Sequence, residues 1–180
     1  MPDYNKFSFA DAKGVVAANR IFQLGNGETC DDLLKCSNLQ DSSFMECSIL
    51  GNDSVRENAI DCNRFCENLL FSRCTITGGN QACIVIKGGC KNIRFKECLL
   101  VRSKRSWTDI LIDDWSDQST KPSTGIDLRG TEMVGGSTVR VVFGRWHKPI
   151  LGANHRILWI PTIGLHAYNI FKGLWKLVAR

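Results

Sequence analysis

The chain has 180 residues, of which 43% are hydrophobic and 23% charged, with a formal net charge of +5. That is the composition of one ordinary globular domain with room for a small appendage. No apolar run is long enough to cross a bilayer as a helix. Met1 to Ala10 contains Asp3 and Tyr4 and lacks the apolar stretch of a secretory signal, so synthesis in a reducing cytoplasm is expected.

At the start of the chain, Phe7 and Phe9 alternate as a short strand would. From Asp11 to Leu24, residues Val15, Ala18, Ile21 and Phe22 fall near helical spacing, and Gly25 and Gly27 are plausible stops. Residues 1–36 are therefore expected to form an N-terminal cap of one strand and one helix.

One pattern then recurs four times: apolar, any, Phe or Leu, any, any, Cys or Thr, any, Ile, Leu or Met. The copies are Ser42, Phe44, Cys47, Ile49, degenerate in its leading Ser42; then Leu69, Phe71, Cys74, Ile76; then Ile93, Phe95, Cys98, Leu100; then Ile126, Leu128, Thr131, Met133. Their successive offsets are 27, 24 and 33 residues. A period in this range means one structural unit stacked several times. Within a copy the apolar residues alternate, which is the strand period. The alternation breaks at Ser72 and Arg73, and again at Lys96 and Glu97, where both residues are expected to face outward and the chain to bend. A second alternating segment precedes each bend: Ile60 and Cys62, Ile84 and Ile86, Ile110 and Ile112. Each unit is thus three short strands separated by turns. One such coil cannot bury its own apolar face, but stacked coils share a core.

These features make the chain resemble the right-handed parallel β-helix of the pectin-lyase-like superfold. The resemblance covers roughly residues 37–143 and rests on strand and turn periodicity, without a catalytic motif. The expected fold is all-β: a short β-helix of about four coils, the cap before it, and an irregular or helical extension over residues 144–180. Asn68 and Asn92 share a file at offset 24. They either hydrogen-bond along the axis or serve as turn residues.

All nine cysteines precede Leu99, and their spacing follows the coil: Cys47, Cys74 and Cys98 share one file, Cys66 and Cys90 another. Reduced cysteine is a small apolar residue that is often buried, so stacked free thiols are expected in place of disulfides. A zinc site would want closer Cys or His pairs. No metal or other cofactor is expected.

The turn from Asp113 to Gly125 is longer than its counterparts, and the preceding turn holds Trp107. Asp113 and Asp114 beside Trp115 could serve a carbohydrate site, with the aspartates as catalytic or cation-holding groups and Trp107 and Trp115 as stacking platforms. Adjacent Asp113 and Asp114 are similar to the paired aspartates of polygalacturonase-like enzymes. The His-Gly and Arg-Ile-Lys elements of that family have no match in the coil region, and the three histidines (His147, His155, His166) all lie in the tail. The plain alternative is a loop built from ordinary loop-forming residues.

Val139, Val141 and Phe143 form one more alternating strand. The extension after it holds Trp146, Trp159 and Trp175, and Pro149 and Pro161 break it into pieces. From Leu165 to Arg180, residues Tyr168, Phe171, Leu174, Trp175 and Val178 fall on one helical face, with Lys172, Lys176 and Arg180 toward the other side. The first 98 residues carry 11 basic and 12 acidic side chains, while the remainder carries 12 and 6. The basic residues are dispersed and no nucleic-acid motif accompanies them, so neither nucleic acid nor a membrane is the expected partner.

A short barrel with an aromatic-rich, broken tail resembles the small β-helical components of bacteriophage particles. The resemblance implies a non-enzymatic virion component, a capsid decoration or cement protein or a tail or baseplate part. Its partners would be other structural proteins or further copies of itself. Trp146, Trp159, Tyr168, Phe171 and Trp175 would be the partner-binding residues. The alternative is a carbohydrate-binding or polysaccharide-degrading module using Trp107, Asp113, Asp114 and Trp115.

Overall fold

Stacking the repeat at its own period yields an all-β parallel solenoid. The computed structural model describes residues 5–106, 108–113, 122–134, 138–142 and 156–160, the last two ranges as backbone. Four complete coils hold three strands each: β1 (Phe7–Ala10), β2 (Val16–Ala18) and β3 (Ile21–Gln23); β4 (Leu34–Ser37), β5 (Gln40–Met45) and β6 (Ser48–Leu50); β7 (Asn58–Asn63), β8 (Glu67–Ser72) and β9 (Thr75–Thr77); β10 (Ala82–Ile86), β11 (Lys91–Lys96) and β12 (Cys98–Val101). A partial coil follows, with β13 (Ile110–Asp113), bridges at Thr124 and Asp127, and β14 (Thr131–Val134). β15 (Thr138–Val142) and β16 (Arg156–Ile160) complete the elements.

The strands form three sheets: seven-stranded β1-β4-β7-β10-β13-β15-β16, four-stranded β11-β8-β5-β2, and five-stranded β14-β12-β9-β6-β3. The register follows the repeat. Phe44 pairs with Phe71 and Phe71 with Phe95, while Ile49, Ile76 and Leu100 form the next file. Ile60 lies beside Ile84, Ile84 beside Ile110, and Ile110 beside Val139.

Each bend is made by a residue in the left-handed region. Asn19, Glu46, Arg73 and Glu97 turn the same corner, with φ between 52° and 54°. A single such residue redirects the chain, so the next strand can start at once. Arg73 is exposed at its bend, but Ser72, expected to face outward with it, is buried. A second corner is turned by Asp41, Asn68 and Asn92 at φ 47°, 56° and 53°. There the polar file does hydrogen-bond along the axis: Asn68 Nδ2 donates to Asp41 Oδ1 (2.8 Å) and Asn92 Nδ2 to Asn68 Oδ1 (3.0 Å). Gly125 continues the file at φ 66°, where a Cβ would sit 2.5 Å from Asn92 Oδ1. Asn and Gly are the residues that tolerate this conformation.

The interior is apolar. Phe44, Phe71 and Phe95 stack face to face, with centroids 4.8 and 4.9 Å apart. The nine cysteines are free and buried. Several thiols contact backbone carbonyls of the previous coil: Cys74 Sγ reaches Phe44 O at 3.4 Å, Cys98 Sγ reaches Phe71 O at 3.4 Å, and Cys66 Sγ reaches Cys36 O at 3.3 Å. Cysteine at these corners is thus both small core filler and a weak donor.

The N-terminal segment corrects the sequence reading. Asp11 to Leu24 contains no helix; it forms β2 and β3, which pair with β5 and β6 at the same offset of 27. The cap is therefore the first coil of the solenoid itself. Its end is closed by aromatic rings, since Phe7 and Phe9 meet Phe22 edge-on at 5.2 and 6.4 Å. Within the segment 144–180, Arg156–Ile160 is a strand that the sequence reading did not anticipate, and it pairs with β15 throughout.

Candidate functional site

The three sheets differ on their outer faces. On the four- and five-stranded sheets the outward residues meet solvent: Arg94 is exposed, and Leu70 and Leu99 are half-buried. On the seven-stranded sheet the outward file runs Ser8, Lys35, Asp61, Val85, Leu111 by register, and β15 and β16 continue the pairing as backbone. Val85 and Leu111 are only 2% and 1% exposed, and Asp61 is fully enclosed. Val85 and Leu111 nevertheless stand apart from the core cluster, which takes their neighbours Ile84, Ile86, Ile110 and Ile112. Strands β7, β10 and β13 are therefore buried on both faces. A parallel strand covered on both sides reads as a continuous apolar run. Ala82 to Ile86 and Ile110 to Ile112 are such runs. They were the available signal, and attention to alternation alone passes over Val85 and Leu111.

Polar groups gather at the β4–β7 end of this face. Lys87 Nζ lies 3.3 Å and Lys35 Nζ 3.6 Å from Asp61 Oδ2, and Asn63 Nδ2 donates to the same oxygen at 3.1 Å. Asn58 Nδ2 donates to Asp32 Oδ1 at 2.9 Å, and both residues are buried. Burial, reinforced by the neighbouring Asp61 and Glu57 charges, pushes the Asp32 carboxyl up to about 8. Burial works against the Lys87 charge, yet the Asp61 and Asp32 carboxylates hold its pKa above the usual lysine value. The cluster is thus a buried ion pair with a second cation in reach and a carboxyl held largely protonated at neutral pH. A buried pair of this kind specifies an arrangement more than it stabilises one.

Of the site residues singled out from the sequence, the structure describes Asp113 and the backbone of Trp159. Asp113 ends β13 on this same outer face and is buried at 1% exposure. Trp107, Asp114 and Trp115 lie outside the described residues, as do Trp146, Tyr168, Phe171 and Trp175. Trp159 sits in β16, in register with Val141. Among the described residues no three of His, Cys, Asp and Glu are grouped to hold a metal ion. Two thiols away from the cysteine files are poor nucleophiles: burial, then Asp32, pushes Cys30 up to about 11, and burial, then Asp109, pushes Cys83 up to about 12.

No protein-family model matches the chain, and no curated protein is significantly similar to it.

Proposed function

We propose that the protein is a non-enzymatic building block of a larger assembly, a capsid decoration or cement protein or a tail or baseplate part of a bacteriophage virion. The observation that carries the reading is the first coil. Among the described residues its strands β1, β2 and β3 are each paired on one side only, so that end of the solenoid presents strand edges. On that coil Val16 and Ile21 are 66% and 64% exposed, and Phe7 and Phe9 are half-buried. Open edges beside apolar side chains invite pairing with another chain. A rigid stack of coils with one such end suits a block that locks onto a neighbour. Free thiols suit synthesis in a reducing compartment. The carbohydrate reading would use Asp113, which is buried at the end of β13.

The test is a Val16→Lys, Ile21→Lys double variant of the full chain, followed into particles purified from the cells of origin. The variant should fold and remain in solution while the wild type enters the particle in fixed stoichiometry. Incorporation of the variant at the wild-type level would overturn the reading. Cleavage of acidic polysaccharides by the full chain would replace it with the carbohydrate alternative.

A further inference from the structure

We infer that Asn26 is a site of spontaneous covalent modification, at which the peptide nitrogen of Gly27 attacks the side-chain amide and converts the residue to aspartate and isoaspartate, while the asparagines at the corners of the solenoid are kept. The inference is independent of the assembly role proposed above.

The first argument is the turn. Asn26–Gly27 is the single Asn-Gly pair of the chain. It forms the tip of a turn between β3 and β4, where Glu28 N donates to Gly25 O at 3.2 Å and Gly25 N donates to Glu28 Oε2 at 2.7 Å. Gly27 has φ 77°, the left-handed value that the third residue of a type II turn requires. Both closing bonds run between Gly25 and Glu28, so neither uses the Gly27 N–H. Asn26 and Gly27 are exposed, and a Cβ built on Gly27 would meet nothing within 4 Å. The Gly27 nitrogen therefore carries no neighbouring side chain that would hinder its approach to Asn26.

The second argument is what the fold does with its corner asparagines. Asn38 Nδ2 donates to Asp11 Oδ1 at 2.9 Å, Asn68 Nδ2 to Asp41 Oδ1 at 2.8 Å, and Asn92 Nδ2 to Asn68 Oδ1 at 3.0 Å. In each, an acceptor holds the amide that would have to leave. The residues that follow them, Leu39, Leu69 and Ile93, carry branched side chains that are fully buried. Asn26 has neither restraint: among the described residues its side chain makes no hydrogen bond, and the residue after it is glycine.

The chemistry balances with water alone. The Gly27 nitrogen gives its proton to solvent base and bonds to Asn26 Cγ; the Cγ–Nδ2 bond breaks and ammonia leaves. Water then opens the cyclic imide at either carbonyl. One opening gives aspartate, and the other routes the main chain through the side chain and gives isoaspartate. Either product sets a new carboxylate close in sequence to Glu28, whose Oε1 accepts from Lys6 Nζ at 2.7 Å. The new anion competes for Lys6, and the extra main-chain carbon of isoaspartate opens the turn from Gly25 to Glu28.

The test incubates freshly purified, folded full chain in mildly alkaline buffer and follows it by peptide mapping and isoaspartate assay, with digestion by an acid protease to halt the reaction. Aspartate and isoaspartate should accumulate at position 26 and not at Asn38, Asn68 or Asn92, with a matching acidic shift on ion exchange. Asn26→Asp should co-elute with the aspartate product. Gly27→Ala, whose side chain has room, should lose most of the conversion. A position 26 that stays intact in folded protein and converts only in guanidinium would overturn the inference, because the turn would then be shielding it. Equal conversion at Asn38, Asn68 or Asn92, or undiminished conversion in Gly27→Ala, would overturn it as well.

Discussion

The Phe71 and Phe95 rings lie parallel, with centroids 4.9 Å apart and planes 9° from coplanar, and Phe44 repeats the arrangement on the other side of Phe71 at 4.8 Å and 7°. The separation matches that of neighbouring strands. Parallel strands in register impose this face-to-face geometry, which free aromatic pairs do not prefer. Phe71 is fully buried and has a ring on each face. Phe71→Ala should cost about 3–5 kcal/mol, since no neighbour in a close-stacked file can move in to fill the gap. Urea unfolding at equilibrium measures it. A loss below about 1 kcal/mol would show that the file does not hold the coils together.

Asn68 carries two loads, a left-handed backbone at φ 56° and a place in the hydrogen-bonded file from Asp41 to Asn92. Asn68→Ala loses both, whereas Asn68→Gly loses only the side chain. The glycine variant should therefore be the more stable by about 1 kcal/mol, the cost of a Cβ in this conformation. Thermal unfolding of the two variants decides it. Equal melting temperatures would remove the backbone from the explanation.

Asp32 links stability to pH. Its carboxyl is pushed up to about 8 in the folded chain from an ordinary value of 3.8, first by burial and then by Asp61 and Glu57. Between those values the folded chain holds a proton that the unfolded chain has released. Its contribution is complete below about pH 4 and is lost as the pH rises through about 8. Asp32→Asn keeps an oxygen for Asn58 and removes the titration. The variant should lose the decline in stability between pH 4 and pH 8 seen in the wild type and should be the more stable at pH 8. Parallel slopes for the two proteins would refute the assignment.

The nine thiols are buried and free. Their reaction with a thiol reagent at neutral pH should follow unfolding. Native protein should release no colour in the first minutes, and protein in concentrated guanidinium should release nine equivalents. Rapid reaction of one or two thiols in native protein would locate an opening in the stack.

The β-helix was legible because its files are written at fixed offsets. Phe71 and Phe95, 24 residues apart, and Cys98 and Thr131, 33 apart, are register partners. The first coil is offset by 27 from the second, as the second is from the third, with Ala17 beside Phe44 and Phe22 beside Ile49. It escaped notice because Ala17 and Arg20 stand where the pattern has Phe and Cys, while Val15, Ala18, Ile21 and Phe22 also suit a helix. At the chain's end, a tail broken by proline conceals a strand that the edge of β15 recruits. Only a partner can select β structure in such a short segment.

From its residues alone this protein could be known to coil, to stack like upon like, and to bury its cysteines as free thiols in an apolar interior. Those properties depend on local alternation and a repeating distance along the chain. The enclosure of Val85 and Leu111 on the outer face of β10 and β13, and the gathering of Asp32, Asp61, Lys35 and Lys87 on the same sheet, depend on what the folded chain closes over those strands. Such closure brings together residues whose separation in sequence follows no period, so only the folded molecule decides it.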